Sequence, residues 1–179
     1  MLNVENSLLL IVDIQDRLVN MLEKDTIVAK ACAIANTARI LGVETIVSEQ
    51  YPKGLGSTIE PLKNALGENV KYFEKTAFSV LNEEEIAKTI QASGKKHIIL
   101  CGIEAHICVY QTAIDLISKG YEVTLVKDAS ASRNKFEFKT GVELMKQNGV
   151  KISCVEIVLF ELLKTAKNPN FKEVQALIK

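Results

Sequence analysis

Six short runs rich in valine, isoleucine and leucine recur along the chain: LLLIVDI (8–14), ETIVSEQ (44–50), VKYFEK (70–75), HIILCGI (97–103), EVTLVKDA (122–129) and KISCVEIVLF (151–160). Most are continuously apolar rather than alternating, the pattern of strands covered on both faces. Between them lie longer stretches with helical spacing. In TIVAKACAIANTARILG, residues 26–42, the apolar positions Ile27, Ala31, Ile34, Ala38 and Leu41 recur every three or four residues, and Gly42 closes the run. This alternation predicts an α/β fold: a doubly wound, six-stranded parallel sheet with helices on both faces and right-handed crossovers. With 179 residues and no linker, low-complexity tract or internal repeat, residues 1–179 are expected to form a single domain.

In a sheet of this kind the ligand site lies beyond the carboxyl ends of the strands, so the polar residues there carry the first clues to function. The first run ends at Asp13, the second at Glu49 and Gln50, the third at Lys75, and the fourth leads through Glu104 to Cys108. An acid, an amine and a thiol are therefore expected to converge on one edge of the sheet. A thiol attacks as its thiolate, and the first turn of a helix favours that form because unpaired N–H groups point at the sulfur. A helix beginning near Ala105 or His106 gives Cys108 this position. An adjacent ammonium stabilises the thiolate further, and a carboxylate moves the proton on and off; Lys75 and Asp13 supply those groups.

The remaining polar content narrows the field. Lysines and arginines number 22 and so do the acids, so no positive excess draws in a nucleic acid or an anionic membrane. The N-terminal apolar run lacks a basic leader and ends at Asp13, too short to cross a bilayer; a cytoplasmic protein with neither membrane nor nucleic-acid partners is expected. Four cysteines make no CxxC pair and only His97 and His106 stand by to help them, so no metal and no cofactor is expected. Cys32, Cys101 and Cys154 read as small buried hydrophobes, the last two inside strands.

LLLIVDIQDRLV with its aspartate, FEKTAFSVL with its lysine and ILCGIEAHICVYQTAIDL with its cysteine, in this order, resemble the isochorismatase-like cysteine hydrolases. The similarity covers nearly the whole chain. It extends to SEQYPKGLGSTIEPLK and to the tail VLFELLKTAKNPNFKEVQALIK, which resemble a subgroup of small isochorismatase-domain proteins. The resemblance implies a catalytic triad of Asp13, Lys75 and Cys108, a small-molecule substrate and a homo-oligomer. Cys108 would attack a carbonyl carbon, Asp13 would carry the thiol proton to the leaving group, and Lys75 would hold the thiolate and orient the acid. It also implies a cis peptide between Ile103 and Glu104, aiming the backbone N–H groups of Glu104 and Cys108 at one point as an oxyanion hole.

Departures from the family pattern refine the expected reaction. Nicotinamidases of this family bind a metal through an aspartate and histidines after the second strand, whereas SEQYPKGLG holds no histidine. Isochorismatase proper cleaves a vinyl ether without a nucleophilic cysteine, so Cys108 points to a small amide, another C–N bond or an ester. Gln15, Gln50, Tyr51, Leu55, Phe78 and His106 are the candidate pocket residues. The competing readings are a catalytically silent scaffold or interaction protein and a redox-responsive thiol protein, the latter without a CxxC or a resolving cysteine. No GxGxxG follows the first run, which argues against a dinucleotide-binding protein.

Overall fold

The structure is a computed structural model that describes residues 1–22 and 25–179. The chain runs β1 (Ser7–Val12), α1 (Asp16–Asn20), α2 (Asp25–Leu41), β2 (Glu44–Gln50), α3 (Pro52–Leu55), α4 (Glu60–Leu66), β3 (Lys71–Lys75), α5 (Glu84–Ala92), β4 (His97–Ile103), α6 (Cys108–Ser118), β5 (Glu122–Ala131), α7 (Lys135–Gln147), β6 (Lys151–Ser153), α8 (Val155–Leu163) and α9 (Phe171–Ala176). Six parallel strands form one sheet in the order β3-β2-β1-β4-β5-β6.

Continuous apolar runs become central strands because both faces of the sheet are covered. Side chains of β1 alternate between two cores. Leu9 and Ile11 join one with α2, α4 and α8, while Leu8, Leu10 and Val12 join the other with α5, α6 and α7. The strand order reverses between β1 and β4, the switch point at which sheets of this kind hold their ligands. Gly102 makes the close approach there: at φ +143° it lies where a Cβ would sit 2.0 Å from the Val12 carbonyl oxygen.

The run KISCVEIVLF is not the long strand expected over 151–160. Only Lys151–Ser153 pair with β5, and Val155 begins α8. The Asp128 carboxylate accepts the Val155 N–H at 2.8 Å and so serves the helix start, while Val155, Val158, Leu159 and Leu162 bury themselves in the first core. Continuous apolarity does not distinguish a buried strand from a buried helix. Cys154 accordingly sits half-buried at the N-cap of α8, not inside a strand, whereas Cys101 is fully buried in β4.

Candidate active site

Asp13 leaves β1 in the left-handed region, φ 54°, which aspartate tolerates better than most residues. Its N–H donates to the Ser48 carbonyl at 3.0 Å, and its Oδ1 accepts the Ser48 hydroxyl at 2.7 Å. Ser48 is brought there by register, since it pairs with Val12 one residue earlier. Lys75 ends β3, one strand beyond β2, and its side chain reaches across the end of β2 to place Nζ 2.7 Å from Asp13 Oδ2. Both side chains are completely removed from solvent.

The ammonium has three protons to give. Gln50 Oε1 accepts at 2.5 Å, and the carbonyls of Ala77 and Phe78 accept at 3.1 Å each. The contact with Asp13 Oδ2 is therefore one of charge, and that oxygen has no aligned hydrogen-bond donor. Gln50 is locked in turn: its Nε2 donates to the Thr76 carbonyl, and its backbone is gripped by the fully buried Gln15. Gln15 Oε1 accepts the Gln50 N–H at 2.7 Å, while its Nε2 donates to the carbonyls of Gln50 and Gly56. Gln15 is thus held on both ends by the protein, whereas Gln50, half-buried, supports Lys75 through Oε1 and the Thr76 carbonyl through one of its two amide protons.

Cys108 is the first residue of α6, with only 7% of its surface exposed, and it neighbours both Asp13 and Lys75. The helix begins at the cysteine itself, later than the expected start near Ala105 or His106. The thiol is not acidified. Burial and then the Asp13 carboxylate push its pKa up to about 12, against the opposing pull of Lys75. Burial likewise raises the Asp13 carboxyl, outweighing Lys75 and Ser48. The resting thiol is protonated, and the expectation of a lowered pKa fails because desolvation of a sulfur this deep exceeds what one shared ammonium returns.

The Ile103–Glu104 peptide is cis. In the turn that follows, the N–H of Ala105 donates to the Ala131 carbonyl, and those of Ile107 and Val109 donate to the Glu104 carbonyl. The N–H groups of Glu104 and Cys108 have no acceptor among the described residues. The buried Glu104 side chain accepts the Arg133 N–H at 3.1 Å, with Arg133 Nε 3.6 Å away. His106 Nδ1 bonds Ser132 Oγ at 2.9 Å and its Nε2 lies 3.5 Å from Glu137, so the imidazole ties the turn to the segment around the start of α7. Gly141 lets α7 close on this turn, since a Cβ there would meet His106 Cα at 2.8 Å. Tyr51 and Phe78 are exposed on the loops after β2 and β3, and Leu55 is half-buried in α3.

The family model of the isochorismatase domain matches residues 7–157. The chain belongs to the isochorismatase family. A zebrafish (Danio rerio) isochorismatase domain-containing protein 2 is 36% identical over 99% of this chain and 89% of its own length. A structure described as MAR1 ribonuclease from Caenorhabditis elegans superposes with a TM-score of 0.93 at 38% identity, over 99% of this chain and 91% of that one. The Escherichia coli YcaC gene product, described as an octameric hydrolase of unknown specificity, superposes with a TM-score of 0.89 at 23% identity, covering 98% and 94% of the two chains. The last likeness is one of fold.

Within this isochorismatase fold, three further residues hold the site; sequence reasoning named only Glu49, as a strand-end acid without a role. Ser48 fixes Asp13. Glu49 Oε1 accepts the N–H and hydroxyl of Thr58, both at 2.7 Å, and anchors the loop that Gln15 grips. Glu83 accepts the N–H groups of Thr76 and Ala77, which holds its own carboxyl below the usual range and fixes the segment whose carbonyls bind Lys75. Ser48 carried a signal, a lone hydroxyl inside a buried strand. Glu49 was visible as a strand-end acid though its role was not, and Glu83 carried no signal.

Proposed function

We propose that this member of the isochorismatase-like hydrolases cleaves a small amide, another C–N bond or an ester through a thioester on Cys108. The observation that carries the reading is the buried Asp13–Lys75 contact of 2.7 Å beside a thiol whose neighbouring N–H groups lack acceptors. Asp13 Oδ2 takes the thiol proton as sulfur bonds to the carbonyl carbon, and the carbonyl π pair moves onto oxygen, where the N–H groups of Glu104 and Cys108 receive it. Collapse expels the amine or alcohol, which leaves with the proton held on Asp13. Water, deprotonated by Asp13, then attacks the thioester, and the acid product departs as the proton returns to sulfur. Lys75 contributes fixed positive charge throughout. A protonated thiol and a buried carboxylate with elevated proton affinity suit this sequence, because the proton crosses between nearby groups during attack rather than beforehand.

The chain acts as a single domain on a small molecule and assembles as a homo-oligomer, the second point in keeping with the octameric description of YcaC. Its four free cysteines suit the reducing cytoplasm, and among the described residues no helix is long and apolar enough to cross a membrane. The ribonuclease description belongs to the worm relative; in this chain the Lys75 ammonium beside Cys108 is sealed from solvent against a carboxylate, out of reach of a phosphodiester. A screen of small amides, ureas, esters and a short RNA, run on wild type and Cys108→Ala, tests the reading. Turnover of an amide, urea or ester that disappears in Cys108→Ala is expected. RNA cleavage that depends on Cys108, or turnover that survives its removal, would overturn it.

A further inference from the structure

The helix α8, VEIVLFELL, is apolar almost all round, a composition that belongs to a helix covered on every side. Its inner face packs into the first core, yet Ile157 and Phe160 remain 53% and 40% exposed on the outer one. They line a groove shared with Met1, Leu2, Glu156 and Lys164. Its volume, about 790 Å³, is several times the roughly 150 Å³ that accommodates a benzene ring. Phe171 stands against Phe160 with ring centroids 6.3 Å apart, which holds the aromatic ring in place on the surface.

Glu161 shares this groove, where its carboxylate accepts the Leu2 N–H at 3.0 Å; the two exposed charges beside it, Glu156 and Lys164, are self-complementary. Glu156 near the start of α8 and Phe160 four residues on are exposed on one face, and Lys164, which ends the helix at φ 62°, is exposed beside them in the same groove. Neither Glu156 nor Lys164 forms an ion pair among the described residues. They lie at opposite ends of α8, on the order of 10 Å apart at 1.5 Å per helical residue, too far to pair with each other.

From this arrangement we propose that α8 docks antiparallel onto α8 of a second copy, across a two-fold axis at Phe160. The operation brings Glu156 of each protomer to Lys164 of the other, places the two Phe160 rings together at the centre, and covers Ile157 on both sides. Such an isologous contact closes on itself and leaves no unsatisfied copy of the surface. Helix axes packed at 8–10 Å bring a glutamate and a lysine within ion-pairing reach. The proposal gives a location to the homo-oligomer put forward above, and its failure leaves the chemistry of Cys108 untouched.

Sedimentation equilibrium of the full chain tests it. Wild type is expected to be a dimer or a multiple of dimers. Glu156→Lys and Lys164→Glu each turn both symmetric pairs repulsive and should weaken the dimer at least tenfold, while the double exchange Glu156→Lys with Lys164→Glu should restore it to within about threefold. Both positions are exposed, and far-UV circular dichroism verifies that each variant is folded. A wild-type monomer at every concentration, single exchanges without effect, or a double exchange no better than the singles would each overturn the proposal; the first would leave the groove to a different partner.

Discussion

Two ion pairs sit at opposite edges of the same sheet, and they do different work. At the carboxyl edge, Asp13 and Lys75 meet at 2.7 Å with both side chains fully buried. At the amino edge, Glu122 and Lys151 meet at 2.5 Å with 59% and 57% of their side chains exposed. Water solvates the second pair whether or not it forms, so the sheet loses little without it. The first pair is cut off from water, and each charge depends on the other and on the surrounding hydrogen bonds. Ser48, Gln50 and the carbonyls of Ala77 and Phe78 supply those bonds. A fold keeps so costly an arrangement where chemistry needs an unsolvated base, and Asp13 Oδ2, left without an aligned donor, is that base in the function proposed above.

The comparison can be sharpened by substitutions at both edges. Asp13→Asn removes the base while leaving a side chain of the same shape; acylation of Cys108 by an activated ester such as p-nitrophenyl acetate should slow by roughly 10²- to 10⁴-fold, read by stopped-flow absorbance. Lys75→Met strands the Asp13 charge and should cost about 3–5 kcal/mol in urea unfolding, most of it recovered when Asp13→Leu is added, because removing both charges leaves nothing to desolvate. Gln50→Met removes the Oε1 acceptor and frees one ammonium proton to turn onto Asp13 Oδ2, and acylation should slow roughly tenfold to a hundredfold. At the amino edge, Lys151→Met should leave the unfolding midpoint where it was. A large loss there, or a negligible one at Lys75, would erase the distinction between the pairs.

The thiol extends the contrast to pH. With its pKa pushed up to about 12, Cys108 is almost wholly protonated at neutrality, and its thiolate fraction grows about tenfold per pH unit on approach to that value. Labelling by iodoacetamide should therefore climb steadily between about pH 7 and pH 10, where a thiol acidified by its helix terminus would already show a plateau.

Much of the fold and part of the site were legible in the residues. Continuous apolar runs mark strands covered on both faces, and a charged residue ending such a run marks the sheet edge, so Asp13 and Lys75 could be named, as could Cys108 four residues beyond Glu104. The run 151–160 was misread because an edge strand of three residues and a buried helix share one composition; the capping carboxylate of Asp128 that separates them is distant in sequence. Gln15 and Gln50 could be named near the strand ends, but that they brace Lys75 and the loop around Gly56 could not, because a glutamine's partners are tertiary. The thiol pKa was misread because helix position is local, whereas burial is a property of the assembled core.

The central claim is that Cys108 is acylated with Asp13 as its base, and rapid-quench mass spectrometry of the protein mixed with p-nitrophenyl acetate tests it most directly. Peptide mapping should find the acetyl group on Cys108 in wild type, accumulating far more slowly in Asp13→Asn, with nothing at that position in Cys108→Ala. Acetyl groups spread evenly over Cys32, Cys101, Cys108 and Cys154, or found at Cys108 equally fast without the Asp13 carboxylate, would contradict the account.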